Sequence, residues 1–174
     1  MPSWSFDTAH SEIAFSVRHM VFAKTRGSFR TWSGTLDGDA GGRITTLGVD
    51  VDVESIDTRE AQRDTHLRSA DFFDAANHPK MTFRSTAVRG DTAGKFQVDG
   101  ELTIRGTARP VTLDAEFTGG GKDPWGNTRR GYRASTRINR SDYGLNWNQT
   151  LELGGVLVGE QVDIEIETEL VQQG

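Results

Sequence analysis

Alternation of apolar and polar residues at every second position constrains this chain more than anything else in it. Leu47, Val49, Val51 and Val53 alternate with Gly48, Asp50, Asp52 and Glu54. Val162, Ile164, Ile166, Thr168 and Leu170 alternate in the same way with Asp163, Glu165, Glu167 and Glu169. Phe96, Val98, Gly100, Leu102 and Ile104 form a third such face, and Val111, Leu113, Ala115 and Phe117 a fourth. Ile13, Phe15 and Val17 make a fifth, with Met81, Phe83 and Ser85 a sixth. Successive side chains of a strand point to opposite faces, so each run is a strand with one dry and one wet side. One-sided strands belong to antiparallel sheets, because parallel strands are usually buried on both faces.

Turn signals separate the runs: Asp37-Gly38-Asp39-Ala40-Gly41-Gly42, Gly90-Asp91-Thr92-Ala93-Gly94, Gly106-Thr107 and Gly119-Gly120-Gly121. The pattern predicts about eight or nine strands, with residues 4–7 the shortest and several near ten residues, or about 33 Å. Long antiparallel strands in that number, each with one apolar face, most simply close into a barrel that leaves no edge exposed. The expected fold is all-β, an antiparallel barrel occupying residues 1–174 as a single domain.

One stretch breaks the period. Asp57 followed by Glu60 has the form of a helix start, Asp64 and Arg68 are spaced as an i, i+4 ion pair, and Leu67, Ala70 and Phe73 fall on one helical face. The reading is a short helical excursion over about residues 57–76, ending before Pro79 and packed over one end of the barrel.

Composition narrows the function. Only 34% of the 174 residues are hydrophobic and mean hydropathy is −0.55, yet strict patterning together with abundant Gly and Thr argues for a folded β protein. A net charge of −5 argues against broad nucleic-acid binding, which needs a basic face to displace counterions from phosphates. There is no cysteine, hence no disulfide framework, thiolate metal site or cysteine nucleophile. No stretch approaches the roughly 20 apolar residues that span a bilayer as a helix. The start, Met1-Pro2-Ser3-Trp4, lacks a basic and apolar leader. The expectation is therefore a cytoplasmic protein, or a periplasmic one if a leader has been trimmed.

The motifs then line up with a known family. Asp7-x-x-His10-Ser11-x-Ile13-x-Phe15-x-Val17-x-His19, Gly27-x-Phe29 and Gly34 resemble the opening of YceI-like proteins. Arg63-Asp64-x-His66-Leu67-x-Ser69-x-Asp71-Phe72-Phe73-Asp74, running on to Pro79-x-Met81-x-Phe83-x-Ser85, is the most specific stretch. Gly100-x-Leu102-Thr103-Ile104-x-Gly106-Thr107-x-x-Pro110-Val111, Arg140-x-Asp142-x-Gly144 and Val158-Gly159-x-x-Val162 follow in order. The resemblance implies an extended, lipocalin-like, eight-stranded barrel whose interior holds a polyisoprenoid, an isoprenoid quinone or a fatty-acid-like lipid, as carrier or store, with no cofactor. Many relatives are exported behind a signal peptide, which this sequence lacks. Oligomeric state stays open, with a homodimer the state implied by relatives that commonly pair.

From the residues themselves, the candidate lining is the inward set Phe15, Val17, Phe29, Val49, Val51, Met81, Phe83, Leu102 and Ile104, against the plainer reading of ordinary core. His19 shares the parity of Ile13, Phe15 and Val17 and is expected to point inward, whereas His10 is expected at the rim. Arg140 shares the parity of Tyr132, Ala134 and Ile138, and an arginine on a dry face needs an anionic partner. Asp142, Asp71 or a ligand headgroup would each serve, and a satisfied internal network is the plainer reading for both Arg140 and His19. Phe72 and Phe73, pinned by a polar cluster of Arg63, Asp64, His66 and Asp71, read as a lid, and Trp147 as a residue of the mouth. Trp125 reads as a turn residue and a dimer contact. Arg129, Arg130, Arg133, Arg137 and Arg140 lie close together without an acid, and Arg133 and Arg137 are expected to pair across the sheet with the acids of residues 163–169.

Two rival functions remain open at this point. One is a metal-assisted hydrolase drawing on His10, His19, His66 and His78, or on His66 as a general base held by an Asp. Neither a paired-ligand spacing nor a nucleophile or phosphate-loop motif supports it, and no catalytic residue or metal ligand is assigned. The other is a protein-interaction module with a side-chain-filled interior.

Overall fold

The computed structural model describes residues 3–20, 22–40, 42–149, 151 and 157–173. Met1 and Pro2 of the chain start and Gly41 of the first turn signal lie outside the described residues. Eleven segments form one sheet: β1 (Ser3–Phe6), β2 (Glu12–His19), β3 (Ala23–Phe29), β4 (Trp32–Gly38), β5 (Ile44–Asp52), β6 (Ile56–Asp57), β7 (Lys80–Gly90), β8 (Lys95–Ile104), β9 (Thr107–Lys122), β10 (Thr128–Asn139) and β11 (Val158–Gln173). Neighbours run antiparallel throughout, and β1 closes the ring by pairing with both β4 and β11. β1 with β2, β3 with β4, and β5 with β6 are the halves of broken strands, so the eleven segments make an eight-stranded barrel.

The breaks fall on neighbouring strands and form a crease across one wall. Between β1 and β2, Asp7 caps a 3-10 turn (Thr8–His10) by accepting from Ala9 N at 3.1 Å. Between β3 and β4, Arg30 N turns away to bond Ser55 O at 3.1 Å, while Thr31 O accepts from Asp52 N at 3.0 Å. A second 3-10 turn (Val53–Ser55) separates β5 from β6. The opposite wall is unbroken, with β9 and β11 each 16 residues long.

Long uninterrupted ladders follow from the alternation. Val162, Ile164 and Ile166 of β11 stand opposite Val17, Phe15 and Ile13 of β2, so one register points both apolar sets inward. Phenylalanine rings need room inside this wall, and two glycines provide it. A Cβ at Gly27, opposite Phe15 in the register, would lie 2.5 Å from that ring, and one at Gly100 would lie 2.5 Å from both the Phe83 ring and Arg84 O. Ser85 leaves the alternation at a bulge, where its Oγ accepts from Leu47 N at 2.9 Å.

The short helical excursion is present as expected. A single helix, α1 (Ala61–Arg68), is capped by Glu60, whose carboxylate accepts from Arg63 N at 2.6 Å. Asp57 does not start it. This residue belongs to β6, opposite Ser28, and bonds Arg30 and Arg59 N; Arg59 itself is left-handed at φ 67°, which no helix can propagate through. The Asp64–Arg68 pair is also absent. Asp64 is buried and accepts from Thr58 N at 3.0 Å and Thr58 Oγ1 at 2.5 Å, while Arg68 bonds Glu54 O and Ile56 O. A carboxylate without water takes the nearest donors, and these came from Thr58. Leu67 and Phe73 face inward as predicted, but Ala70 is exposed.

Outside the barrel, Arg137 pairs with Asp163 at 2.7 Å as anticipated. Arg133 stands opposite both Glu116 and Glu167 and pairs with Glu116, at 3.3 Å, rather than with the acids of β11. His10 lies in the break between β1 and β2, exposed and bonded to Asp7 at 2.8 Å, beside residues 118–123 of the β9–β10 hairpin.

Candidate ligand-binding site

The barrel is hollow on both sides of the crease. The larger cavity, about 410 Å³, occupies the end that carries α1, and a smaller one of about 140 Å³ occupies the other. Ile13, Met81 and Ile164 line both and form a waist between them. Phe15, Val17, His19, Phe29, Phe72, Phe73, Ile104, Arg140 and Trp147 line the larger chamber, Val49, Val51, Phe83 and Leu102 the smaller, and Met81 the waist. The period-two reading thus placed its inward set on the right face, although it did not foresee the division.

The larger chamber opens beside β3. That strand pairs with β2 along its length, but on its other side only Ser28 and Phe29 find partners, in β6. Below them no strand among the described residues covers the edge, and α1 stands across the gap. The exposed lining residues Arg18, Glu60, Gln62 and Arg63, with half-buried His19, mark the opening.

Aromatic rings build the lid. Phe73 meets Phe29 edge-on at 5.9 Å, and Phe29 lies 5.6 Å from Phe15. Phe72, Trp147 and His66 form a second cluster, with centroids 5.5 Å apart for Phe72–Trp147 and 4.7 Å for His66–Trp147. His66 Nε2 lies 2.8 Å from Asp71 Oδ2, which fixes the ring against both neighbours. The expected polar cluster is therefore two separate ties. One is His66–Asp71; the other joins Asp64 and Arg63 through Thr58, with Arg63 Nε donating to Thr58 Oγ1 at 2.8 Å. Arg105, which the sequence reading passed over, clasps the turn after β8 to this lid by donating to Phe72 O and Gly144 O. Its signal was faint: an arginine before a turn glycine.

Arg140 sits in a satisfied internal network, as the plainer reading had it, but not with a carboxylate. It is only 4% exposed, yet neither Asp142 nor Asp71 is its partner. Its guanidinium donates to four backbone carbonyls: Gly159 O at 2.8 Å, Leu145 O at 2.7 Å, Trp147 O at 2.9 Å and Val158 O at 3.3 Å. Burial lowers its pKa, and the Glu160 carboxylate acts in the opposite direction. A planar fork with five donors can satisfy carbonyls that water cannot reach, so this arginine fastens the segment after β10 to the start of β11. Asn148 adds to the fastening, its side chain pairing with both Val158 N and Val158 O. Beside it, burial first and Asp142 second push the Tyr143 phenol up to about 12.

The smaller chamber is faced by apolar side chains and a few hydroxyls. Thr168 Oγ1 is buried there without a hydrogen-bond partner among the described residues. Arg130 closes this end, stacked 4.9 Å over the Trp4 ring and bonded to Gly42 O. Among the described residues no group of three or more His, Asp or Glu is placed to hold a metal ion.

With this architecture in view, comparison is decisive. The profile of the YceI-like domain matches residues 4–170. The chain belongs to the YceI-like family. A UPF0312 protein of Staphylococcus epidermidis is 39% identical over 172 residues, 97% of either chain. The YCEI protein of Campylobacter jejuni superposes with a TM-score of 0.78 at 28% identity over 90% of each chain. A polyisoprenoid binding domain from Saccharophagus degradans, implicated in plant cell wall breakdown, shares the fold at a TM-score of 0.71 and 14% identity, covering 99% of this chain and all of that one. Several of the residues that carry the resemblance in this YceI-like chain also line the larger chamber, among them Phe15, His66, Phe72, Phe73, Arg140 and Val158.

Proposed function

We propose that this YceI-like protein carries or stores a long apolar molecule, a polyisoprenoid, isoprenoid quinone or fatty-acid-like lipid, without performing chemistry on it. The observation that carries the reading is the aromatic-lined chamber of about 410 Å³, within the range of about 300–1,000 Å³ found for ligand sites. The smaller chamber beyond the waist would give a longer chain somewhere to extend. A sixteen-carbon tail leaving water gains about 12 kcal/mol at about 0.8 per methylene. Association and ordering cost about 4–15 kcal/mol, so only a long, well-formed tunnel holds such a tail. The Saccharophagus degradans domain, named for polyisoprenoid binding, is consistent with that ligand class. His66 and Asp71 have the look of a general-base pair, but Nε2 is engaged with the carboxylate and the ring packs against Phe72 and Trp147. Its place is in the lid.

Native mass spectrometry of freshly purified protein, followed by organic extraction, tests the proposal. An adduct that extracts as a prenyl or acyl lipid is the expected outcome. A clean apo mass after incubation with prenyl and fatty lipids overturns it.

A further inference from the structure

The turn between β2 and β3 carries apolar side chains into solvent beside the open edge of the chamber. Phe22 is 82% exposed and Met20 38%. The turn is nonetheless built: Met20 N donates to Leu157 O at 2.9 Å, and Phe22 N to Met20 O at 2.8 Å. Around it the charge is one-sided. Residues 16–28 hold Arg18, His19, Lys24 and Arg26 and no Asp or Glu, in a chain of net charge −5. Lys24 and Arg26 are exposed and make no ion pair among the described residues. Among the described residues, three acids of neighbouring elements are engaged elsewhere, Asp163 with Arg137, Asp57 with Arg30 and Glu60 with Arg63 N, while Glu160 and Glu165 are exposed on β11.

An exposed aromatic flanked by cations is the chemistry of an interfacial anchor, the ring entering the headgroup layer and the cations holding acidic lipids. The other end of the barrel offers an internal contrast. Trp125 is 81% exposed there, but its turn is organised around Asp123, which accepts from Trp125 N, Asn127 N and Arg129. None of residues 122–128 lines either interior chamber.

We propose that the β2–β3 turn docks the mouth of the barrel on an anionic lipid bilayer, with Phe22 and Met20 inserted and Lys24 and Arg26 on acidic headgroups. The apolar cargo then passes between bilayer and chamber without crossing water. Docking is read from the turn itself, and the transfer step rests on the cargo reading above. Neither Phe22 nor Lys24 nor Arg26 lines the chamber, so docking and cargo binding separate experimentally.

Flotation with vesicles of phosphatidylcholine plus phosphatidylglycerol, against phosphatidylcholine alone, tests it. The protein is expected to float with the anionic vesicles and to lose that partition as salt rises. Phe22→Asp is expected to weaken it about tenfold or more, the effect of withdrawing one phenylalanine from apolar surroundings. Lys24→Glu with Arg26→Glu is expected to weaken it about fivefold per residue or more, and Trp125→Asp to leave it unchanged. Affinity for a water-soluble fluorescent acyl probe is expected to match wild type in all of them, which also certifies folding. Wild-type protein that ignores anionic vesicles, or vesicle binding indifferent to Phe22→Asp, overturns the proposal. So does a Phe22→Asp variant whose only change is from dimer to monomer, which assigns the turn to a second copy of the chain. Vesicle docking without probe uptake overturns the cargo reading and the transfer step with it, leaving docking in place.

Discussion

The two ends of this barrel are made from the same eight strands, yet one encloses about a third of the space of the other. At the closed end β7 through β11 run side by side, and facing side chains such as Phe96, Val98 and Leu113 fill the interior down to about 140 Å³. At the open end three neighbouring strands are broken and one edge of β3 goes without a partner, so loops and a helix finish the wall around about 410 Å³. A regular small barrel fills itself with its own side chains. Interrupting the ladder on one side makes room, and the interior is then held open by a few fasteners that have little to do with strand alternation.

The heaviest fastener is Arg140. Arg140→Met removes the donor to four carbonyls and leaves them facing an apolar interior. Each buried acceptor deprived of its partner costs about 1–3 kcal/mol, and partial relaxation brings the expected total to about 3–5 kcal/mol. Urea unfolding at neutral pH reads the loss, and Arg140→Lys is expected to recover only part because an ammonium cannot reach four carbonyls at once. A substitution of the same volume in the closed end, Leu102→Met, is expected to cost less than about 1.5 kcal/mol. Equal losses would mean that the open end has no special dependence on its fasteners.

The waist at Met81 sets how far the two chambers act as one. Methionine is unbranched and adapts its shape, so a chain pressing against it can pass into the smaller chamber. Met81→Phe should close that route at a packing cost of about 1–3 kcal/mol. Ligands short enough to stay in the open end should then bind as before. Longer ones should weaken about tenfold or more, because each methylene kept out of the inner chamber forfeits about 0.8 kcal/mol. Affinity measured along a series of acyl or prenyl chain lengths should acquire a step in Met81→Phe where wild type climbs smoothly.

What was legible in the sequence divides along the same line. Strand alternation named Val49, Val51, Phe83 and Leu102 because a regular ladder has only two faces, and a residue's parity decides which one it takes. The broken half carries no such rule. Asp57 looked like a cap because its spacing to Glu60 was right, but the cap went to Glu60 once Asp57 was drawn into β6 and Arg59 turned left-handed. Arg140 was placed on a dry face and in a satisfied internal network, but its partners could not be named, since backbone carbonyls leave no trace in residue types. Leu145 and Tyr143, both buried at the chamber wall, lie outside any periodic run and gave no signal at all.

A smaller effect is expected at the closed end. Thr168 presents a hydroxyl to an apolar interior without a partner, an arrangement that costs about 1–3 kcal/mol relative to a satisfied group. Thr168→Val keeps the shape and removes the polar atom, so it should raise stability by about 1 kcal/mol, or about 2–4 °C in Tm for a chain of this length. Loss of stability instead would indicate that the hydroxyl bonds something in solution, with a cargo's polar end the first candidate to test by repeating the melt on delipidated protein.

The last test concerns the crease that divides the two ends, and its effect is confined to acid. Arg129 reaches Asp7 at 2.7 Å, Asp123 at 2.8 Å and Glu169 at 3.1 Å, tying the break between β1 and β2 to β11 and to the turn after β9. Its hydrogen bond, seconded by His10, holds Asp7 down to about 2, and the same guanidinium holds Asp123 down to about 2. Both folded-state values lie below the unfolded value near 3.9, so the stabilisation is complete above about pH 4 and fades as pH falls toward 2. In Arg129→Gln these carboxylates should titrate nearer their unfolded values. The stability gap between wild type and Arg129→Gln should therefore be constant from about pH 5 to pH 7, shrink through about pH 3, be small at pH 2 and vanish only below it. Urea unfolding across that range measures the gap directly. A gap that persists undiminished at pH 2 would mean that Arg129 holds the crease by packing its stem rather than by charge, and that the break between the two ends is maintained by shape alone.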